Sequence, residues 1–145
     1  MHTVLVLGGY GFFGKRISGH LACDPTIRVL IGGRSRPKAS QLASELKLPD
    51  ESAVEIDAAK ANLSDVVRSL GVNTIIHTAG PFQGQDYDVA KAAIAANANY
   101  IDLADSRDFV AGIGQLNDAA RSAGVAVISG ASSVPALSSA VVDRP

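Results

Sequence analysis

The chain's densest chemical signal is the run Gly8-Gly9-Tyr10-Gly11-Phe12-Phe13-Gly14, directly after an apolar segment beginning at Val4. It satisfies G-x-G-x-x-G through Gly9, Gly11 and Gly14, and G-x-x-G-x-x-G through Gly8, Gly11 and Gly14. That spacing suits a phosphate cradle. One glycine turns tightly out of a strand, one removes a side chain where a pyrophosphate approaches, and the last lets the next helix sit close to the sheet. The helix N-terminus then presents free N–H groups and a partial positive charge. A tight turn without a ligand is the alternative, but the strand before and amphipathic pattern after favour a dinucleotide. An ATP-type loop is excluded here, because Gly14-Lys15 continues into Arg16 and no GKS or GKT follows.

A second polar group lies about twenty residues further on, where NAD-specific domains place an acid on the ribose 2′-OH. Here Gly32 and Gly33 lead into Arg34, Ser35, Arg36 and Lys38, with no carboxylate. An arginine pairs with a 2′-phosphate and stacks on adenine. One charge-assisted hydrogen bond, about 1.5–3 kcal/mol, gives roughly tenfold to hundredfold preference. The expectation is NADP rather than NAD, with Arg34 as main contact and Ser35, Arg36 and Lys38 beside it. A solvated basic turn is the plain alternative. Asp57 either accepts from the adenine amino group or caps a turn. The run Thr78-Ala79-Gly80-Pro81 offers small residues where backbone can approach the cofactor, with Pro81 stiffening the loop.

The elements that must position these residues are legible as a pattern. Runs VLVL from Val4, RVLI from Arg28, AVEI from Ala53, NTIIH from Asn73, YIDL from Tyr100 and VAVI from Val125 recur at roughly 25-residue intervals. Continuous apolar runs fit strands buried on both faces. Helical stripes lie between them: Phe13, Ile17 and Leu21; Ala39, Leu42, Ala43 and Leu46 after Pro37; Leu63, Val66, Val67 and Leu70, capped by Asn62 and closed by Gly71. A fourth helix is expected over about 87–97, and a fifth carries Phe109, Ile113, Leu116 and Ala120 before Gly124, weakened by Gly112 and Gly114. Alternation of strand and helix implies an α/β fold: a Rossmann-type doubly wound parallel sheet of about six strands, order 3-2-1-4-5-6, with helices on both faces.

A chain of 145 residues supports one compact domain. The Rossmann domain is expected over 1–132, and 133–145 as the start of a connection to a second, substrate-bearing domain. Lys plus Arg number 13 against 14 acids, a net charge of −1, so no basic footprint for nucleic acid exists. The longest uncharged stretch, Gly124 to Val142, is too rich in serine for a bilayer span. The start lacks a basic n-region, and a single cysteine, Cys23, suits a reducing compartment; the cytoplasm is expected.

Other spacings carry less. Tyr87 and Lys91 form the YxxxK dyad of short-chain dehydrogenases, but after the fourth strand rather than the fifth. Asp102, Asp105 and Asp108 recur every three residues and suit capping better than a cation. His2, His20, His77 and Cys23 give no zinc spacing, and Ser132 and Ser133 lack a nucleophile elbow. No residue stands out as general acid or base, and no metal is expected.

The segments GGYGFFG, IGGR, HTAGPFQGQDYDVAKAAIAANANYIDLAD and ISGASSVPALSSAVVD together resemble the NADP-binding domain of the saccharopine dehydrogenase family, over nearly the whole chain. The resemblance implies a Rossmann domain followed by a substrate domain, and hydride transfer to or from NADP with a small-molecule substrate. Its cofactor contacts fall on Gly8, Gly11, Phe12, Phe13, Gly14, Arg34, Thr78, Ala79 and Gly80. Ala136 stands where that family often has glycine. Cofactor binding without turnover is expected of the chain alone. An extended short-chain dehydrogenase or epimerase, a non-enzymatic NADP sensor, and a second copy of the chain as partner stay open.

Overall fold

A computed structural model describes residues 1–132; the expected connection over 133–145 lies outside them. Six strands, β1 (His2–Leu7), β2 (Ile27–Gly33), β3 (Ala53–Glu55), β4 (Thr74–His77), β5 (Asn99–Asp102) and β6 (Val127–Ile128), form one sheet. Its order is β3-β2-β1-β4-β5-β6, and every pairing is parallel. This is the doubly wound α/β order expected from right-handed crossovers. The reversal falls between β1 and β4, and both strands end at the same level, Leu7 beside His77.

Helices cover both faces. On one side α1 (Phe12–Leu21) and α2 (Arg36–Glu45) pack over Val4, Val6, Val29 and Ile31. On the other, α3 (Leu63–Ser69), α4 (Asp88–Ala95) and α6 (Asn117–Ala123) pack over Leu5, Leu7, Leu30, Ile75 and Tyr100. The period-2 alternation of Val4 to Leu7 sends successive apolar side chains into the two halves of the core. This is why β1 shows no polar alternation.

Three details differ from the sequence pattern. In α1, Ile17 and Leu21 pack on the sheet, but Phe13 points outward and is 53% exposed; Gly14 and Ser18 are the buried positions. The helix starts so close to the loop below it that only small residues fit its inner side. The expected fifth helix is broken into α5 (Arg107–Gly112), a 3₁₀ turn (Ile113–Leu116) and α6. Gly112 packs against the Tyr87 hydroxyl, and the two glycines lower the cost of leaving the α-helix. Phe109, Leu116 and Ala120 nevertheless stay buried. The Asn62 side chain makes no capping hydrogen bond, whereas Gly71 closes α3 at φ 64°.

Candidate functional site

A cleft of about 790 Å³ opens at the carboxyl ends of β1, β2 and β4, where the sheet order reverses. Its central feature is the glycine loop. Gly8 turns out of β1 at φ 81°, and the Gly11 N–H donates to the Gly8 carbonyl at 2.8 Å. Gly14 then sits against Gly8 and Gly9; a Cβ there would stand 2.7 Å from the Gly9 Cα. The loop and the first turn of α1 are thus one packed unit. The N–H groups of Phe12, Phe13 and Gly14 have no hydrogen-bond partner among the described residues. No acid occupies that turn, so nothing there neutralises the helix dipole.

Tyr10 ties this loop to β2. Its hydroxyl accepts from the Ser35 N–H at 3.0 Å, and its ring lies where a Cβ on Gly33 would fall, 2.5 Å away. The ring therefore lines the cleft without filling it. Phe12 and Phe13 stand outside, edge to face at 5.2 Å, with Arg16 over Phe12 at 4.3 Å. None of the three rings plugs the cleft.

On the β2–β3 side the cleft is edged by Arg34 and Asp57. Arg34 is exposed and takes part in no ion pair among the described residues. A side recess of about 230 Å³ continues past it between Glu55, Asp57 and Lys60. Asp57 does cap a turn, Oδ1 accepting from the Ala59 N–H at 3.1 Å, while still facing the cleft. Arg36 is different. It begins α2 and pairs with Asp50 at 2.9 Å, turned away from the opening.

The β4 side is a wall of small residues. Thr78, Ala79 and Gly80 line it, and the Gly80–Pro81 peptide is cis. The Thr78 hydroxyl is within hydrogen-bond distance of the Leu7 and Gly8 carbonyls, at 3.0 and 3.1 Å, joining the wall to the glycine loop. Gln85 donates to the Ala79 carbonyl at 3.1 Å. Beneath the wall lies His77, sharing a 3.0 Å hydrogen bond with the Tyr100 hydroxyl. Burial pushes the His77 imidazole down to about 4, against an upward pull from Asp102. Burial also pushes the Tyr100 hydroxyl up, reinforced by the Asp102 charge. Both groups are neutral at pH 7.

Of the residues singled out in the sequence, Gly8, Tyr10, Gly11, Arg34, Asp57, Thr78, Ala79 and Gly80 meet in the cleft. Gly9 and Gly14 are buried under the loop, and Phe12, Phe13, Ser35, Arg36 and Pro81 do not line it. His77 and Gln85 line it without having been assigned a role; nothing local in the sequence separates them from other polar residues. The YxxxK dyad does not form. Tyr87 donates to the Phe109 carbonyl at 2.9 Å and Lys91 pairs with Asp88 at 3.1 Å. The three aspartates diverge too: Asp102 is fully buried, and α5 is capped by Ser106, not by an aspartate.

A family model described as the saccharopine dehydrogenase NADP binding domain matches residues 4–128. No curated protein matches the chain. Among solved structures, apo saccharopine dehydrogenase (L-Glu forming) from Saccharomyces cerevisiae is similar at a TM-score of 0.73 and 21% identity, over 90% of this chain and 27% of that one. GenD2 from gentamicin A biosynthesis, solved with NAD, is similar at 0.60 and 23%, over 89% and 34%. An NAD binding oxidoreductase from Klebsiella pneumoniae is similar at 0.53 and 21%, over 88% and 34%. At such identities the likeness is one of fold. The chain spans about a quarter to a third of these proteins.

Proposed function

The chain belongs to the family of saccharopine dehydrogenase NADP-binding domains, and from that premise we propose that its cleft holds NADP as the cofactor half of an oxidoreductase. The observation that carries the reading is an open cleft lined by Gly8 and Gly11, just before the start of α1, with Arg34 at one edge; among the described residues the first amides of α1 have no partner and Arg34 makes no ion pair. Its volume, about 790 Å³, lies in the range of cofactor sites. The start of α1 receives the pyrophosphate, and Arg34 receives the 2′-phosphate. Asp57 borders the adenosine, and the wall from Thr78 to Gly80 borders the nicotinamide.

Bound nicotinamide supplies the hydride chemistry; the residues of this chain bind, orient and enclose it. Neither His77 nor Tyr100 changes protonation near pH 7, which favours a positioning role for both over proton transfer. The substrate, and the groups that protonate it, we assign to a further domain, so this chain alone binds cofactor without turnover. The dyad's dispersal argues against the short-chain dehydrogenase reading. No helix among the described residues is long and apolar enough to cross a membrane, and an exposed free Cys23 supports a reducing compartment such as the cytoplasm.

Calorimetric titration with NADPH and NADH tests the assignment. NADPH binds roughly tenfold to hundredfold more tightly, and Arg34→Ala closes that gap while leaving NADH unchanged. Equal affinities in the unaltered chain remove the NADP assignment, and no binding of either cofactor removes the dinucleotide itself.

A further inference from the structure

Three polar side chains lie buried beneath the β4 wall of the cleft. His77 ends β4 and Asp102 ends β5, and the two are register partners across the sheet. Tyr100, two residues before Asp102, projects to the same face. Exposures are 2%, 1% and 0% for His77, Tyr100 and Asp102. An apolar trio would fill the same space without the desolvation cost, so the polar groups need a reason.

Their contacts supply one. Asp102 Oδ1 accepts from the Ala104 N–H at 3.0 Å, and from the Ser129 hydroxyl and the Gly130 N–H at 2.9 Å each. These bonds clamp the end of β5 to the segment after β6. Tyr100 is thereby set on a fixed strand, and its hydroxyl holds His77 Nδ1 at 3.0 Å. The His77 ring also meets the edge of Phe82 at 5.1 Å. The chain therefore leaves the ring at residue 77 and returns to it at residue 82. Thr78, Ala79 and Gly80, lying between, are too small to anchor themselves by packing.

Resting on the cofactor reading above, we propose that His77 and Tyr100 are positioning residues that hold the wall from Thr78 to Gly80 in shape for the nicotinamide half of the cofactor. The sheet order assigns the half. β4 and β2 flank β1 on opposite sides, so this wall faces away from Arg34 and from the adenosine end. His77 and Tyr100 act through the wall, not by touching the reacting atoms.

The experiment compares two ligands, NADPH and adenosine 2′,5′-bisphosphate, which carries the adenosine half alone. Calorimetric titration is run on the unaltered chain, Tyr100→Phe, His77→Asn and His77→Leu, with thermal unfolding of each. Tyr100→Phe weakens NADPH roughly three- to tenfold, the worth of one hydrogen bond, and leaves the bisphosphate unchanged. His77→Asn, which keeps a polar atom facing Tyr100, binds NADPH better than His77→Leu. NADPH binding unaltered in Tyr100→Phe, or equal weakening of both ligands, overturns the proposal. Should Tyr100→Phe not fold, the His77 pair decides: equal ratios of the two affinities in Asn and Leu variants overturn it. Failure of the unaltered chain to bind either ligand overturns the cofactor reading, and this inference with it.

Discussion

His77 makes the domain sensitive to acid in a way that can be worked out from its surroundings. Its ring is 2% exposed, and burial lowers its pKa from 6.5 to about 4, with Asp102 opposing more weakly. The folded chain thus refuses a proton that the unfolded chain takes up below 6.5. Between those values the unfolded state binds more protons, so stability falls as pH falls. The stabilisation is complete above about pH 6.5 and gone by about pH 4. The difference of 6.5 − 4, at about 1.36 kcal/mol per unit, amounts to about 3 kcal/mol, of which about 2 kcal/mol is lost between pH 7 and pH 5. Urea unfolding over that interval, on the unaltered chain and on His77→Gln, checks it. Glutamine cannot take the proton, so the unaltered chain should lose about 2 kcal/mol more than the variant. Comparing pH slopes cancels the variant's own loss of the Tyr100 hydrogen bond and the titration of surface carboxylates. Parallel slopes would mean that His77 is solvated in the folded chain or not held neutral by burial, against the lowered pKa.

Two further substitutions separate packing from surface charge. Gly14→Ala drives a methyl group onto the Gly8 carbonyl and Gly9; thermal unfolding should show a loss of about 1–3 kcal/mol, and calorimetry a loss of NADPH binding as the loop and helix part. Arg36→Ala breaks only an exposed pair with Asp50. It should cost less than about 1 kcal/mol in urea unfolding and leave NADPH affinity as it is, in contrast to Arg34→Ala.

The sheet was legible because its central strands carry their own signature, which the edge strands β3 and β6, with Glu55 and Ile128 exposed, carry only in part. Val4 to Leu7 and Val29 to Ile31 are buried on both faces, and burial on both faces demands continuous apolar residues. Handedness of the crossovers then leaves few orders to choose from. The glycine loop was legible for a similar reason: turn, close approach and helix start all fall within residues 8–14. What local pattern misjudged was direction. Phe13 fits the stripe with Ile17 and Leu21 but is pushed outward, because Gly14 brings α1 too near the loop for a ring on that side. Arg34 and Arg36 read alike in sequence. Only the distant Asp50 decides that the second is occupied elsewhere.

The aspartates carry the same point further. Spacing of three along a chain places side chains on one side only if a single helix holds them all. Asp102 ends a strand, Asp105 meets Gln83 in the loop beyond it, and Asp108 lies in the first turn of α5. Three environments replace one apparent motif. The distant partners of Asp102 are Ser129 and Gly130, and Tyr100 on β5 meets His77 on the neighbouring β4. Each of those contacts joins residues more than twenty positions apart. They exist because β4, β5 and β6 are adjacent and in one register. A site assembled within one turn of chain can be read before the fold is known, whereas a brace between strands can be read only after it. For this domain the first kind is the glycine loop of residues 8–14, and the second kind is the brace of His77, Tyr100 and Asp102 beneath the wall opposite Arg34.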